Sequence, residues 1–381
     1  MQQVALGWLV YRMTGSAFDL GLVGGVGMVP SFCLAPIAGV VADRFDRRKI
    51  VLIIQGFAVV HSLVLAVLVS TETATVGALI ALSLSMGVVQ GFDWPTRQSL
   101  VVHLVEGRTH LGNAIALNST VFNLARVAGP SIAGVLLSAG GDALCFSLSG
   151  AAAGLALVSL SRVRISRSAA RPVRGDFVQE FLEGAAYTWR EPVMRRGLAM
   201  VALASGCIMP YVALLPLFAA EVLGGDARLF AMLAAAPAVG AIAGGLLLAA
   251  RRSPEGLPRQ IFAMGVVAPL SAMVFAGSRF LPLTVAALVV LGGAMMVWMS
   301  SINTRLQMVV AEQKRGRVMS FFIMALMGAM PAGYFVMGMV ADQAGPAFTV
   351  MAGAVVCCGG NLWLHRSGLA HRAVSLARQL A

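Results

Sequence analysis

The chain has 381 residues, of which 59% are hydrophobic and only 12% are charged. Soluble globular domains carry about 25% charged and about 45–50% apolar residues, so this composition excludes a soluble enzyme and places most of the chain in lipid. The formal net charge is +12. Because the basic residues cluster in short gaps between apolar runs, the charge indicates membrane topology and gives no separate support to a nucleic-acid partner.

Eleven apolar runs are long enough to cross a bilayer, for which about 20 helical residues suffice. A further run, from Met1 to Tyr11, is too short to cross and lacks the features of a secretory signal peptide. We interpret it as the second half of a truncated first helix, which makes a plan of twelve spans. The eleven full runs cover 20–41, 50–69, 76–94, 112–139, 143–161, 193–219, 229–250, 260–278, 281–301, 318–340 and 346–364.

The basic residues also predict the orientation of the spans. All but four of the Lys and Arg residues lie in the gaps after spans two, four, six, eight and ten or in the C-terminal tail. Loops rich in Lys and Arg stay in the cytoplasm. The sequence therefore predicts a multi-pass protein with a cytoplasmic C-terminus.

One long polar gap divides the chain into two halves. Its aromatic residues recur at helical spacing, which predicts a short amphipathic helix on the membrane surface. The predicted organisation is an N-terminal bundle over 1–165, a cytoplasmic linker over 166–192, a C-terminal bundle over 193–366 and a tail over 367–381.

The two halves resemble each other in sequence. Span four ends in Pro95-Thr96-Arg97 and span ten in Asn303-Thr304-Arg305, and two further pairs of segments match in the same order. Internal repeats of this kind are typical of secondary transporters. The predicted fold is an all-α membrane protein of two pseudo-symmetric six-helix bundles.

Several motifs identify a family resemblance. Residues 39–49 (GVVADRFDRRK) resemble the GxxxDRxGRRK loop of the major facilitator superfamily, with Asp46 where that pattern usually has glycine. Residues 93–98, 113–130 and 315–320 resemble the branch that contains the enterobactin exporter and macrolide-efflux proteins. The resemblance covers essentially the whole chain.

The resemblance implies a secondary active transporter of the bacterial inner membrane. It favours a proton-driven antiporter that exports a drug, a siderophore or a related metabolite by alternating access, and that works as a monomer among membrane lipids. A nutrient importer of the same fold and an inactive truncated fragment are the alternatives, and a membrane-embedded enzyme or sensor is a remote one. No cofactor, metal site, nucleic-acid partner or enzymatic activity is predicted.

The loop after span two supplies the candidate cytoplasmic gate. By resemblance, Asp43, Arg44, Arg47 and Arg48 hold the two bundles together on the cytoplasmic side. Asp93, at the end of span four, is placed to pair with Arg47 or Arg48. The alternative is that these basic residues only set the topology.

Arg126 is the strongest candidate for the substrate cavity. It lies near the middle of span five, where an unpaired charge is costly, and Asn118 and Asn123 share its face of the helix. It is either a carboxylate-binding group or a structural arginine. In the superfamily, spans one, four, seven and ten line the cavity, which adds Gln3, Trp8, Gln90, Tyr211, Trp298 and Asn303.

Overall fold

The computed structural model describes residues 1–103, 111–162, 177–251, 256–311 and 314–380, and every regular element within those ranges is helical. A short π-helix, Phe218–Val222, directly follows the α-helix Tyr211–Leu217. The helices are α1 (Gln2–Thr14), α2 (Ala17–Arg44), α3 (Arg47–Ser70), α4 (Val76–His103), α5 (Leu111–Arg162), α6 (Phe177–Arg190), α7 (Pro192–Cys207), α8 (Tyr211–Leu217), α9 (Ala227–Ala249), α10 (Leu257–Gly277), α11 (Leu281–Val309), α12 (Arg315–Ala344) and α13 (Pro346–Leu380).

Ten segments within the described helices have the length and apolar composition of membrane spans, and one of them, in α5, is long enough for two. α5 has 52 residues, more than twice the length that a bilayer requires. Gly141 divides it, with φ 73° and ψ −169°, a conformation that is open almost only to glycine. Spans five and six are therefore separate helices, and the apolar helices of the described residues agree in number with the eleven predicted spans.

Span seven is not the single helix that its apolar run predicts. α7 ends at Cys207, the chain turns through residues 208–210, and α8 and the π-helix complete the span. Pro210 has no N–H to donate to the preceding turn and its ring clashes with that turn. Pro216 lies inside α8, and the widened π-helical turn follows it. The apolar run continues across two breaks that hydropathy does not register.

α1 is a regular helix of 13 residues. Gly15 ends it in the left-handed conformation with φ 61°, and its N–H donates to the Tyr11 carbonyl at 2.7 Å. Ser16 then begins α2 by accepting a hydrogen bond from the Asp19 N–H at 3.2 Å. The partial first span is thus helical and joined to α2 by a short, capped turn.

The helices pack into two compact units. Unit 1 comprises Met1–Val173 together with Leu215–Ala235, and unit 2 comprises Arg174–Leu214 together with Ala236–Ala381. The segment Leu215–Ala235 belongs to unit 1, although the chain on both sides of it belongs to unit 2. The predicted borders of the bundles, linker and tail stay a prediction.

In each unit, one pair of helices packs closely through glycine residues. In unit 1, Ser31 of α2 donates to the Gly87 carbonyl of α4 at 2.7 Å, and a methyl group on Gly87 would collide with the Gly27 carbonyl. In unit 2, methyl groups on Gly240 of α9 and Gly292 of α11 would likewise meet the backbone of the facing helix. Small residues let helix backbones approach in a membrane, and the α2–α4 and α9–α11 pairs correspond to the matching halves of the sequence.

The helix α6 lies in the predicted linker and packs on the start of α12 within unit 2. Arg317 donates to Glu183 at 2.9 Å. The Lys314 ammonium lies 4.3 Å from the centre of the Tyr187 ring, and the Ala311 N–H donates to the Tyr187 hydroxyl at 3.5 Å. The position of this helix at the membrane surface stays a prediction.

Candidate functional site

The loop between α2 and α3 holds the candidate cytoplasmic gate. Asp46 begins α3 by accepting a hydrogen bond from the Arg48 N–H at 3.0 Å. The Arg48 guanidinium donates to the Ser161 carbonyl at the end of α5. The side chains of Asp43, Arg44 and Arg47 lie outside the described part of the structure, so their role in a gate stays a prediction.

Asp93 forms an ion pair within its own helix, and its predicted pairing with Arg47 or Arg48 stays a prediction. Arg97, one turn further along α4, donates to Asp93 at 2.6 Å. The same guanidinium donates to the Gln55 side chain of α3 at 3.0 Å. Arg97 was missed, although its i, i+4 spacing to Asp93 is a recognised signal for a helical ion pair. Asp93, Arg97 and Gln55 thus join α3 and α4 at the end of span four.

The cavity candidates of unit 1 are spread over three helices. Gln3 of α1, Gln90 of α4 and Arg126 of α5 have exposed side chains. An exposed arginine in the middle of a membrane span must face water or polar groups, since contact with lipid is costly. Asn118 and Asn123 lie in α5, but their side chains are outside the described part of the structure.

The cavity candidates of unit 2 are mostly buried. Tyr211 packs edge-on against Phe275, with 5.8 Å between ring centres. Trp298 is fully buried, and its indole N–H has no hydrogen-bond partner among the described residues. Asn303 is half-buried and accepts a hydrogen bond from Gln307 one turn later. A role of these side chains in a cavity stays a prediction.

Trp8 belongs to an aromatic and polar contact inside unit 1 that the sequence does not reveal. Its ring stacks on Phe230 of α9, with 5.7 Å between ring centres and 16° between planes, and also contacts Tyr11 at 5.6 Å. The Tyr11 hydroxyl donates to the Glu221 carboxylate at 3.5 Å. α1 therefore holds both ends of the segment Leu215–Ala235.

An ion pair lies beside these contacts. Arg12, at the end of α1, donates to Asp142, which follows the Gly141 break in α5. The Asp142 side chain is only 1% exposed, whereas that of Arg12 is 56% exposed. An acid directly after Gly140-Gly141, between two apolar runs, was the available signal. Its partner, 130 positions earlier, could not be read from the sequence.

α5 also approaches α9 closely at this end of unit 1. A methyl group added to Gly134 would stand 2.3 Å from the Ala231 Cβ. Together with the contacts of α1, this approach ties α1, α5 and the segment Leu215–Ala235 together. We call this set the α1 cluster; it comprises Trp8, Tyr11, Arg12, Gly134, Asp142, Glu221, Phe230 and Ala231.

A second network lies at the other end of α1. Gln2 Nε2 donates to His61 Nδ1 at 2.7 Å, and His61 Nε2 donates to the Leu82 carbonyl at 3.0 Å. Ser62 donates to Gln2 Oε1 at 3.3 Å. A carbonyl can only accept and an amide NH2 can only donate, so these two contacts fit the neutral imidazole with its proton on Nε2. The buried His61 thus joins α1, α3 and α4.

Comparison with known proteins identifies the family. The sequence model of the family described as transmembrane secretion effector matches residues 1–377. The chain belongs to this family. The transmembrane secretion effectors are transporters of the major facilitator superfamily, and the predicted fold and superfamily are confirmed.

Two relatives match this chain over most of its length. The Staphyloferrin A transporter of Staphylococcus aureus is 24% identical over 376 residues, which cover 93% of this chain and 89% of that protein. Macrolide efflux protein A of Streptococcus pyogenes is 23% identical over 364 residues, again 93% of this chain and 89% of that protein.

A solved structure matches the fold. It is a bacterial homologue of the human lysosomal transporter Spinster, in an inward-facing and unoccupied conformation. The match has a TM-score of 0.74 and 16% identity, and covers 97% of this chain and 94% of that one. The chain therefore has the fold of a major facilitator transporter.

Proposed function

We propose that this chain is a proton-driven exporter of small, partly apolar molecules in the bacterial plasma membrane, working as a monomer by alternating access. The family match over residues 1–377 carries the proposal. The names of the two relatives point to drugs, siderophores or related metabolites as substrates. The distribution of Lys and Arg supports a cytoplasmic C-terminus.

The α1 cluster is the proposed outer gate. On the predicted topology, the end of α1 lies on the outer side of the membrane. Opening to the outside requires the segment Leu215–Ala235, which is continuous with unit 2 on both sides, to leave α1 and α5. That movement breaks the Trp8–Phe230 stack and the Tyr11–Glu221 hydrogen bond. An aromatic pair contributes about 0.5–1.5 kcal/mol and a hydrogen bond about 0.5–1.5 kcal/mol, so the gate can open reversibly.

The loop between α2 and α3 is the proposed cytoplasmic gate, with Asp93 acting through Arg97. In this proposal, Asp43, Arg44, Arg47 and Arg48 are satisfied when the cytoplasmic side is closed and hydrated when it is open. The contact of Arg97 with Gln55 supports a coupling between α3 and α4 at this gate. A charge cluster with two alternative sets of partners is a bistable element.

Arg126 is the proposed anchor of the substrate cavity. Its exposed side chain in the middle of span five suits a carboxylate or another acceptor group on a partly apolar substrate, because arginine binds carboxylates through two parallel hydrogen bonds. The other proposed cavity side chains are Gln3, Trp8, Gln90, Asn118, Asn123, Tyr211, Trp298 and Asn303.

Inverted membrane vesicles test the proposal. Respiration acidifies their interior, and a pH-sensitive dye reports the gradient while a macrolide, a siderophore or a lipophilic cation is added. Export coupled to protons predicts that a transported compound enters the vesicles and releases part of the proton gradient. Vesicles that contain the Gly134→Ala variant, analysed in the Discussion, provide the matched control with a disturbed outer gate.

Three results would contradict the proposal. Uptake that continues at full rate after a protonophore has collapsed the gradient would refute proton coupling. Uptake into right-side-out vesicles, driven by an inward proton gradient and absent from inverted ones, would establish an importer. Compounds that move in neither preparation, across all three classes, would refute the proposed substrate range.

A further inference from the structure

His61 is a titratable side chain near the middle of span three. Only 3% of it is exposed, and it lies nine residues before the end of α3 at Ser70. At 1.5 Å per residue it is about 14 Å from that end, and half the hydrocarbon core of a bilayer is about 15 Å. Titratable side chains at this depth are rare in membrane proteins, and many of them carry protons.

The groups in direct contact with the imidazole ring are uncharged. His61 Nδ1 accepts from the Gln2 amide at 2.7 Å, and Nε2 donates to the Leu82 carbonyl at 3.0 Å. The Phe57 ring lies 5.9 Å away, measured between ring centres. No described residue forms an ion pair with His61, so a proton bound to this ring has to be stabilised by hydrogen bonds.

The helices around α3 carry their charges elsewhere. α1, α2, α4 and α5 contact α3, and none of their described titratable or charged side chains makes a hydrogen bond or an ion pair with His61. They are Tyr11 and Arg12 in α1, Asp19 and Cys33 in α2, Asp93 and Arg97 in α4, and Arg126, Asp142, Cys145 and Arg162 in α5. The α-amino group of Met1 lies near Gly129 of α5.

The network around His61 can satisfy the imidazole in both protonation states. When the ring is neutral, Gln2 donates to Nδ1 and the Ser62 hydroxyl lies 3.3 Å from Gln2 Oε1. When Nδ1 also carries a proton, the Gln2 amide turns over, so that Oε1 accepts from Nδ1 and Nε2 donates to the Ser62 oxygen. The Ser62 hydroxyl then donates to the Ala58 carbonyl, which is already 2.8 Å away. Nε2 of the ring donates to Leu82 in both states.

We propose that His61 is the proton-binding site of the exporter and that the Gln2 amide turns over to accept a hydrogen bond from the bound proton. The proposal rests on the proton-driven export of the proposed function, which needs a group near the middle of the membrane that gains and loses a proton. A polar network with two complete sets of hydrogen bonds is a bistable element of the kind that such a cycle requires.

α1 connects this site to the proposed cavity and to the proposed outer gate. Gln2 is half-buried, and the side chain of its neighbour Gln3 is exposed. A hydronium ion in the cavity gives its proton to Nδ1 and leaves as water, and the reverse step returns the proton to water. Because α1 is one regular helix from Gln2 to Thr14, the helix that contacts the proton site also holds the α1 cluster.

Solid-state NMR of the full chain in lipid tests proton binding without any transported compound. The histidines are isotope-labelled, since their ring shifts distinguish the Nε2–H tautomer from the imidazolium, and His61→Gln assigns the His61 signals among the five histidines. The titration runs from about pH 9 to about pH 4.5, a range that brackets the ordinary histidine pKa of about 6.5. We expect the imidazolium to replace the Nε2–H form. A His61 that stays neutral throughout would overturn the proposal.

Two variants test the role of the Gln2 amide in the same titration. Gln2→Met removes the group that accepts from the bound proton, and hydrogen bonds to charged groups are about twice as strong as neutral ones, so the proton affinity of His61 should fall about tenfold. Ser149→Ala is the matched control, because the Ser149 hydroxyl donates to the Cys145 carbonyl of its own helix at 2.8 Å. Unchanged affinity in Gln2→Met, or an equal loss in Ser149→Ala, would overturn the role of the amide.

Transport into inverted vesicles separates this proposal from the proposed function. The probe is erythromycin, a macrolide. His61→Gln keeps a hydrogen-bond donor and an acceptor but cannot hold a proton, so erythromycin should still move down its own concentration gradient without releasing the proton gradient. Proton release at the wild-type ratio in His61→Gln would overturn the site. A wild-type chain without coupled proton release would contradict the proposed function, and the NMR titration would still decide whether His61 binds a proton.

Discussion

Gly134→Ala tests the outer gate directly. Gly134 lies in α5, and the residue that it faces, Ala231, lies in the segment Leu215–Ala235, which must move when the gate opens. Because the substitution adds one methyl group where α5 meets α9, it disfavours only the state in which the segment Leu215–Ala235 packs on α5. The prediction is a shift of the gate toward its open state and slower transport.

The magnitude follows from the geometry. The added methyl group would stand 2.3 Å from the Ala231 Cβ, whereas carbon atoms pack best at about 3.5–4.0 Å. Ala231 is 3% exposed and has no flexible side chain that could move away, so the helices must separate by more than about 1 Å. Overpacking of this kind costs about 1–3 kcal/mol, which changes the ratio of closed to open states by about 5- to 150-fold.

Spin-label distances measure that ratio. Labels are placed at Met13→Cys in α1 and Arg228→Cys in α9, both exposed positions, in a background without the five native cysteines. Pulsed electron resonance of the reconstituted chain then gives the distance distribution between them. We expect Gly134→Ala to move population to the longer distance, and the efflux rate of a transported compound to fall in parallel.

The matched control removes the opposing methyl group. In the Gly134→Ala, Ala231→Gly double variant, the collision is absent, so both the distances and the efflux rate should return toward wild type. A folded Gly134→Ala protein with wild-type distances and efflux would refute the gate. A double variant as impaired as Gly134→Ala alone would refute the steric reasoning.

Three further predictions concern other parts of the chain. Arg126→Gln should abolish transport of carboxylate-bearing substrates. Arg126→Lys should retain part of it, because lysine keeps the charge but cannot make the two parallel hydrogen bonds of a guanidinium. Full transport by Arg126→Gln in vesicles would exclude the cavity role. Asp93→Asn should slow transport severalfold. It should cost little thermal stability, since a partly exposed i, i+4 pair with Arg97 contributes only about 0.3–0.5 kcal/mol. An unchanged transport rate would show that Asp93 is not part of the gate. Gly265→Ala should destabilise the protein by about 1–3 kcal/mol, because the new methyl group would meet the buried Asn361 amide. Most of that loss should vanish in an Asn361→Ala background. Equal losses of unfolding temperature in both backgrounds would contradict the contact between the new methyl group and Asn361.

The sequence predicts the helices well and their partners poorly, and the reason is physical. Apolar runs report the length of chain in lipid, which is why the spans and the separation near Gly141 were found. Pro210 and Pro216 break span seven without changing its hydropathy, so the break was missed. Hydropathy carries no information on how each helix is rotated.

The site residues illustrate the same limit. The sequence analysis looked for a partner of Asp93 across a loop and overlooked Arg97, one turn away on the same helix. The Trp8–Phe230 stack joins residues far apart in the chain and has no local signature. Only packing determines such contacts. Arg126, by contrast, is a candidate from the sequence because a charge within an apolar run is a local signal, and its role stays a prediction.

The ion pair of Arg12 and Asp142 differs from the contacts of α1 with the segment Leu215–Ala235 in the proposed gate. Both of its members lie in the N-terminal half, in α1 and α5, so gate opening does not have to break it. Asp142 is buried, with one carboxylate oxygen that has no hydrogen-bond partner among the described residues, while Arg12 is 56% exposed. The pair therefore holds α1 on α5 and leaves the weaker contacts of Trp8 and Tyr11 to open.

This asymmetry predicts unequal costs for removing each partner. Arg12→Gln leaves a buried carboxylate without its counter-charge, a loss of about 3–5 kcal/mol, whereas Asp142→Asn leaves an arginine that water can solvate. The unfolding temperature should fall more in Arg12→Gln than in Asp142→Asn, and the double variant should recover most of the difference. Glu221→Gln should leave that temperature unchanged, because the exposed Glu221 only accepts from Tyr11 at 3.5 Å. Equal losses in the two single variants would show that the burial of Asp142 does not govern how α1 is anchored.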